Sequence, residues 1–574
     1  MGSTMAESTS RVCGSPLAAL DGCEPLDFAT AEGGQLASQV ERRLIWAFLL
    51  LGIAARTVRY LLRFPLWEDE AFVGANLLGR GYLGLTEPLD YHQVCPFLFL
   101  WIELAVVKLL GFTEYTLRLF PYLCSLASLL VFRHLAAQVC RGTALVLAVA
   151  VFSVAYPEIR YAAELKPYGS DVLVSLLLLT FAVRWWRRPE DTRWLWGLVL
   201  LAPPAVALSY PAVFVGGGIS LVAAAVLWRT RCRRAWLPWG LYNLALAGTF
   251  AATLLLAARG QGPAVLDVMR DCWQGAFPPL DAPLELLRWL VAVHASDMLA
   301  HPFGGPNYGS TLTLVCCAAA VVALWRRRRF MLLLLCASPA ALNLVAAAMR
   351  RYPYGGSVRV ALYLAPVICL LAGLGLAAIL SWATSRRSYS PAPVFVALAI
   401  LGLVGLGSIG RDAWRPAKSD DDLETRDFAR WFWSEMLRGG EVVCLEADPK
   451  HRFTSDDDPS RTSASYLCNR RIYSPAYARR EPPRVDRVSE AWPLRCVRFR
   501  SPLLTYDEGA FAEWMHSMTT CYRLVAEDRY PVKQYYDGKR LDHIDYVDVY
   551  TFVPKATLTP GERSAALAIG ETRR

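Results

Sequence analysis

The sequence predicts an all-α polytopic membrane protein with a small polar domain at its C-terminus. Three observations carry this. Hydrophobic residues make up 55% of the 574-residue chain and charged residues only 19%, where soluble domains run at roughly 45–50% apolar and about 25% charged. Apolar stretches close to the length of about 20 residues that a helix needs to cross lipid recur between residues 44 and 410. The arginines collect in short runs between those stretches, as membrane topology demands.

Taken in order, residues 1–41 are rich in Gly, Ser and Ala, lack periodicity, and read as a disordered tail. Residues 42–410 hold twelve candidate membrane segments, at 44–62, 96–112, 118–137, 143–157, 170–186, 194–209, 211–228, 236–258, 309–325, 330–348, 360–382 and 391–410. The first is too long and too poorly flanked for a cleaved signal peptide and reads as a signal anchor. Residues 411–574 are far more polar and form a separate soluble domain of α/β or α+β type. It contains an amphipathic helical stretch from Phe428 to Met436, a short strand from Glu441 to Leu445 after Gly439-Gly440, and an alternating strand from Asp545 to Val553. Its Cys444, Cys468, Cys496 and Cys521 either form two disulfides or stay buried as thiols.

The positive-inside tendency orients the segments. Arg42 and Arg43 precede the first; later clusters lie at Arg187, Arg188 and Arg193, at Arg229 to Arg234, at Arg326 to Arg329, and at Arg386 and Arg387. If these are cytoplasmic, loops 63–95, 158–169, 259–308 and 349–359 face outside, and so does the C-terminal domain. Twelve crossings conflict with that parity. The weakest segment is 96–112, which is short and carries Glu103 and Lys108; as an amphipathic interfacial helix it leaves eleven crossings. The net charge of +10 is a topology signal of this kind, and no nucleic-acid partner is expected.

Polar groups at membrane depth or at a helix mouth mark functional candidates, and the outer loops hold several. Trp67-Glu68-Asp69-Glu70 follows the first segment; its adjacent acids suit a perturbed carboxyl or a metal, or simply the acidic first turn of a helix. His92, in Tyr91-His92-Gln93, suits a phosphate, a metal or a sugar hydroxyl, or has no role. Glu158, Arg160, Lys166 and Tyr168 precede the helix at 170–186, whose N-terminus favours an anion; an interfacial belt of ion pairs and tyrosines is the plainer reading. Arg350-Arg351-Tyr352-Pro353-Tyr354-Gly355-Gly356-Ser357-Val358-Arg359 sets three arginines against the positive-inside tendency, and a lipid phosphate is the anion they suit.

These residues also carry a resemblance. The first helix is followed by Asp69-Glu70-Ala71, then by Tyr91-His92-Gln93 with Pro96 opening an apolar segment, then by Glu114 with Leu117-Arg118-Leu119 and Pro121. In this order they resemble the GT-C fold transferases of the protein O-mannosyltransferase and aminoarabinose-transferase type, glycosyltransferase family 39 and its relatives. The segments Glu164-Leu165-Lys166-Pro167-Tyr168 and Tyr352-Pro353-Tyr354-Gly355-Gly356 resemble its bacterial members. The likeness covers roughly residues 44–410; Val94-Cys95-Pro96 departs from the Pro-Pro common in relatives, which bears on specificity.

The resemblance implies a GT-C-like helical bundle in a bacterial cell membrane. It implies transfer of a hexosyl or pentosyl group, with inversion, from a polyprenyl-phosphate sugar to a glycan, lipid or protein acceptor on the extracytoplasmic side. Asp69 matches the family's catalytic base, with Glu70 beside it. On chemical grounds Lys166, Arg351, Arg359 and Arg160 are candidates for the donor phosphate, and His92, Glu158, Tyr168 and Tyr354 for substrate contacts. A monophosphate leaving group does not demand a divalent cation; Glu70, His92 and Glu158 are the candidates for holding one. A transporter is the rival class, but no internal repeat is evident and the ionisable groups gather at one face. A non-catalytic envelope membrane protein is the third.

Overall fold

The computed structural model describes residues 25–27, 38–260, 273–385, 391–437, 441–445, 463–474, 493–500, 508–536 and 539–555. Long apolar runs without water must satisfy their own backbone, so they become helices. Eight helices are long and apolar enough to span a bilayer by length and composition: α1 (Ser38–Leu61), α4 (Leu119–Val139, extended by a 3₁₀ turn from Thr116), α7 (Tyr168–Arg187), α9 (Ala212–Thr230), α10 (Arg233–Gly260), α13 (Phe330–Ala348), α14 (Ala365–Ser385, preceded by a 3₁₀ stretch Val358–Leu364) and α15 (Ala392–Trp414). Three shorter apolar helices join them, α5 (Thr143–Val154), α8 (Arg193–Leu208) and α12 (Thr311–Arg326). The expected helical bundle is therefore present. The segment expected to lie apart, α3 (Phe97–Leu110), has 14 residues, about 21 Å of helix against a hydrocarbon core of about 30 Å.

The short α5 is the bundle's centre. Every residue from Ala144 to Val154 is buried, and α1, α4, α14 and α15 pack around it. The chain enters this bundle earlier than composition suggested. α1 begins at Ser38, inside the stretch assigned to a disordered tail, and Leu26 is buried, pairing through its backbone with Val139 and Arg141. Apart from residues 25–27, the residues before Ser38, Cys13 and Cys23 among them, lie outside the described residues.

The two ends of the bundle differ chemically. At one end Asp27 pairs with Arg141 at 3.3 Å and its carbonyl accepts from Arg327, while Arg187 donates to the Gln138 carbonyl. At the other end the connections around 62–96, 155–167, 273–310 and 349–358 meet. Two small helices shape that end, α2 (Glu68–Gly79) and α6 (Tyr156–Tyr161), together with α11 (Pro283–Ala295).

After α15 the chain forms the small mixed domain. α16 (Asp420–Trp431) starts on a Ser419 cap that accepts from Asp422 N–H and runs into a π-helical turn, Phe432–Met436. The strands β1 (Glu441–Cys444), β2 (Leu494–Arg500), β3 (Tyr522–Tyr536) and β4 (Lys539–Pro554) form one sheet in the order β1-β2-β4-β3, with β1 parallel to β2 and the rest antiparallel. Alternation sorts β2: Val497 and Phe499 face Phe432 and Trp433, whereas Leu494 and Cys496 face α18 (Glu508–Cys521) through Met518 and Cys521. The four domain cysteines are free thiols, buried except for half-buried Cys444.

Helix α17 (Ala464–Tyr473) docks this domain onto the membrane bundle. Ala464 and Cys468 enter the same apolar cluster as Leu66, Ala71 and Val73 of the α2 region. The Cys468 thiol donates to the Ala71 carbonyl at 3.5 Å, Tyr473 Oη donates to Glu114 at 2.7 Å, and Arg426 donates to the Arg63 carbonyl at 2.8 Å.

Candidate functional site

α2 opens with Glu68, Asp69 and Glu70 in its first turn, where carboxylates oppose the positive end of the helix dipole. The neighbours Asp69 and Glu70 then diverge. Glu70 turns inward and is buried; its two oxygens accept from Arg118 Nε at 2.8 Å and Nη2 at 2.6 Å, and Oε1 also accepts from the Leu165 N–H at 2.8 Å. Arg118 further donates to the carbonyls of Phe64 and Pro65. Glu70 thus ties α2 to α4 and to the 158–167 connection.

Asp69 turns the other way, into a partly exposed cluster of charge. Its Oδ2 forms an ion pair with Arg359 Nη1. Burial opposes ionisation of Asp69 most strongly, but Lys166, Arg359 and Lys418 together outweigh it and hold the carboxyl below the usual aspartate range. The cluster is dense. Lys166, nearly buried, donates to Gln93 Oε1 at 2.7 Å. Lys418 pairs with Glu164 at 2.7 Å and sits 3.4 Å from the centre of the Trp67 ring. Arg359 also lies over Trp67, and over Trp273 at 5.3 Å. Burial pushes the Lys418 ammonium down to about 8, against the pull of Glu164. Tyr161 and Tyr168 meet edge to face at 5.1 Å and lie within electrostatic reach of Arg359. Arg160 stands 3.9 Å from Glu164. Asp69 and Glu164 face Arg160, Lys166, Arg359 and Lys418, and Asp422 and the Arg118-bound Glu70 also act on Lys418.

The backbone explains why Arg359 arrives here. Gly355 and Gly356 both adopt positive φ, +72° and +74°, a turn that side chains resist. A Cβ on Gly355 would overlap Val293, and one on Gly356 would lie 2.8 Å from Ala276 Cβ. This packed turn delivers the chain to the 3₁₀ stretch that carries Arg359.

The other expected site residues are placed as follows. Tyr354 is buried and its hydroxyl bonds His294 Nε2 at 3.0 Å, fastening the turn to α11. Arg351 is exposed beyond α13; Arg359 is the arginine of that segment that reaches Asp69. His92 is half-buried in a left-handed turn with Tyr91 (φ +51° and +61°). Glu158 is buried on α6 with His301, 3.1 Å away. Two contributors had not been singled out. Lys418 is a lone lysine in a linker, and Trp273 sits in a loop; neither has a local pattern that predicts its arrival. Gln93 and Glu164 lay within the quoted motifs without an assigned role.

No protein-family model matches the chain, and no curated protein matches it. Among solved structures it is similar to ArnT from Cupriavidus metallidurans bound to undecaprenyl phosphate, at 12% identity and a TM-score of 0.45, over 88% of this chain and 97% of that one. ArnT in the apo state gives 13% identity and 0.45 over the same shares. The archaeal oligosaccharyltransferase AglB from Archaeoglobus fulgidus, in complex with an inhibitory peptide and a dolichol-phosphate, gives 13% identity and 0.38, over 67% of this chain and 58% of that one.

Proposed function

We propose that this chain is a GT-C-type membrane glycosyltransferase. It moves a sugar, hexosyl or pentosyl, from a polyprenyl-phosphate donor to a glycan, lipid or protein acceptor on the extracytoplasmic side of a bacterial cell membrane. The observation that carries the reading is the Asp69 carboxylate, held ionised by Lys166, Arg359 and Lys418 where the loops meet at one end of the bundle.

Each part of that cluster has a task in an inverting displacement. Asp69 accepts the proton of the acceptor hydroxyl as it attacks the anomeric carbon. The bond from that carbon to the lipid phosphate oxygen breaks, and the departing phosphate carries the negative charge. Arg359, Lys166 and Lys418 stabilise that charge, so no protein acid is required. Donor binding shares Arg359 between Asp69 and the phosphate, which loosens the resting ion pair. Glu70, bound to Arg118 and Leu165 N–H, acts as a positioning residue that aims Asp69.

Asp69→Asn keeps the shape and removes the base. The expected result is a loss of about 10²–10⁴-fold in transfer from labelled polyprenyl-phosphate sugars in a purified preparation, with donor binding retained. Transfer near the wild-type rate would remove Asp69 from the base role.

A further inference from the structure

We propose that Glu158, His301 and Cys369 form a binding site for one zinc-like divalent transition ion. The three side chains come from separate parts of the chain: α6, the connection before α12, and the second turn of α14. All three residues are buried, with Glu158 at 3% exposure and His301 at 0%. One donor atom from each lies within 4.8 Å of the other two. A tetrahedral zinc site with bonds of about 2.0–2.3 Å sets its donors roughly 3.3–3.8 Å apart, so small side-chain rotations close this group around an ion.

Two further observations favour a ligand over a plain hydrogen bond. The first is unsatisfied valence. Glu158 Oε1, 3.1 Å from His301 Nδ1, is buried with no hydrogen-bond partner among the described residues, and buried polar atoms ordinarily find one. The second is the neighbouring cation. Arg56, fully buried nearby, directs its donors to Ser125 Oγ and to the carbonyls of Gly52, Ser153 and Phe152, not to Glu158. The carboxylate is thus left available. A mixed carboxylate, imidazole and thiolate set suits zinc better than magnesium or calcium, which take oxygen ligands. Three protein donors leave a fourth position open, and a small cavity lined by Arg56, Ser125, Ser128 and Tyr161 touches Glu158. On binding, Cys369 releases its thiol proton to solvent and ligates as thiolate.

Backbone bonds hold the His301 loop in place. Thr313 Oγ1 donates to the His301 carbonyl, and Tyr156 N–H donates to the Pro302 carbonyl at 2.8 Å. The ion fastens that loop to α6, whose last residue, Tyr161, approaches Arg359. Its role is positional, and the inference stands independently of the transfer reaction.

The test uses the purified full-length protein, isolated without a metal-affinity resin, incubated with equimolar zinc and desalted. Elemental analysis should find one zinc per chain. Cobalt substitution should give a near-ultraviolet thiolate-to-cobalt charge-transfer band. Cys369→Ala and His301→Gln should each lose the ion, and Cys369→Ala the band, while Cys317→Ala, a buried thiol on neighbouring α12, should keep both. Less than a tenth of an equivalent in the wild type overturns the proposal, as does zinc retained in both ligand variants. The wild-type measurement decides even if a variant does not fold.

Discussion

Glu70 and Asp69 are adjacent acids with opposite fates, and substitution should separate them. Glu70→Gln leaves the buried Arg118 guanidinium half-paired, a change that typically costs about 3–5 kcal/mol. Its expected signature is a lower thermal midpoint in detergent, whereas Asp69→Asn lowers turnover with little change in that midpoint. Lys418 gives a test by pH. Its ammonium is charged below about 8, so transfer should fall as pH rises through 8, and Lys418→Arg, which stays charged, should flatten that limb. The stability sign is the reverse. The folded value lies below the ordinary 10.5, so folding releases protons between the two. The Lys418 contribution to stability is complete above 10.5 and is lost as pH falls through 8. Activity and stability should therefore respond in opposite directions over this window, measured by initial rates and by thermal scans.

At the scale of the element, the Gly355-Gly356 turn and the start of α2 position the charges. Gly356→Ala meets both a positive φ and the Ala276 methyl at 2.8 Å. It should destabilise by more than about 1 kcal/mol and displace Arg359, read as weaker donor binding with Asp69 intact. How far these elements were legible follows from whether their signals are local. The acidic turn after the first membrane segment and the arginines that oppose the positive-inside tendency each stand out within about ten residues, and Asp69 and Arg359 do meet. The interfacial reading of α3 rested on its own Glu103 and Lys108, of which Glu103 is buried. Lys418, Trp273, His301 and Cys369 have no such local signature. Their neighbours are supplied by folding across hundreds of residues, and one sequence does not specify that closure. Arg351 shows the converse limit, since proximity to Arg359 along the chain did not bring it to Asp69.

For the whole molecule, membrane sidedness is the property that most constrains function. Native cysteines are poor reporters of it, because Cys468, Cys496 and Cys521 are buried. Glu513, exposed on α18, is a better position. Glu513→Cys should react with a membrane-impermeant maleimide in intact cells or spheroplasts if the domain faces outside; reaction only after lysis would reverse the assigned orientation. The mixed domain itself was anticipated from three short stretches, all of which form helix or strand, but its seat on α2 was not. That seat depends on the fit of Ala464 and Cys468 into an apolar patch, a surface match that no periodicity encodes.

The route of the chain between α15 and α16 has a further consequence. Lys418 belongs to the short tether that joins the last membrane helix to the C-terminal module, and that tether is pinned at Glu164 while α17 grips α2. Lifting the module away would draw a positive charge away from Asp69 in the same movement. If the proposed transfer holds, such a swing would raise the proton affinity of Asp69 while the module is away, so the carboxylate would be restored as a base only when the module seats again and Lys418 returns.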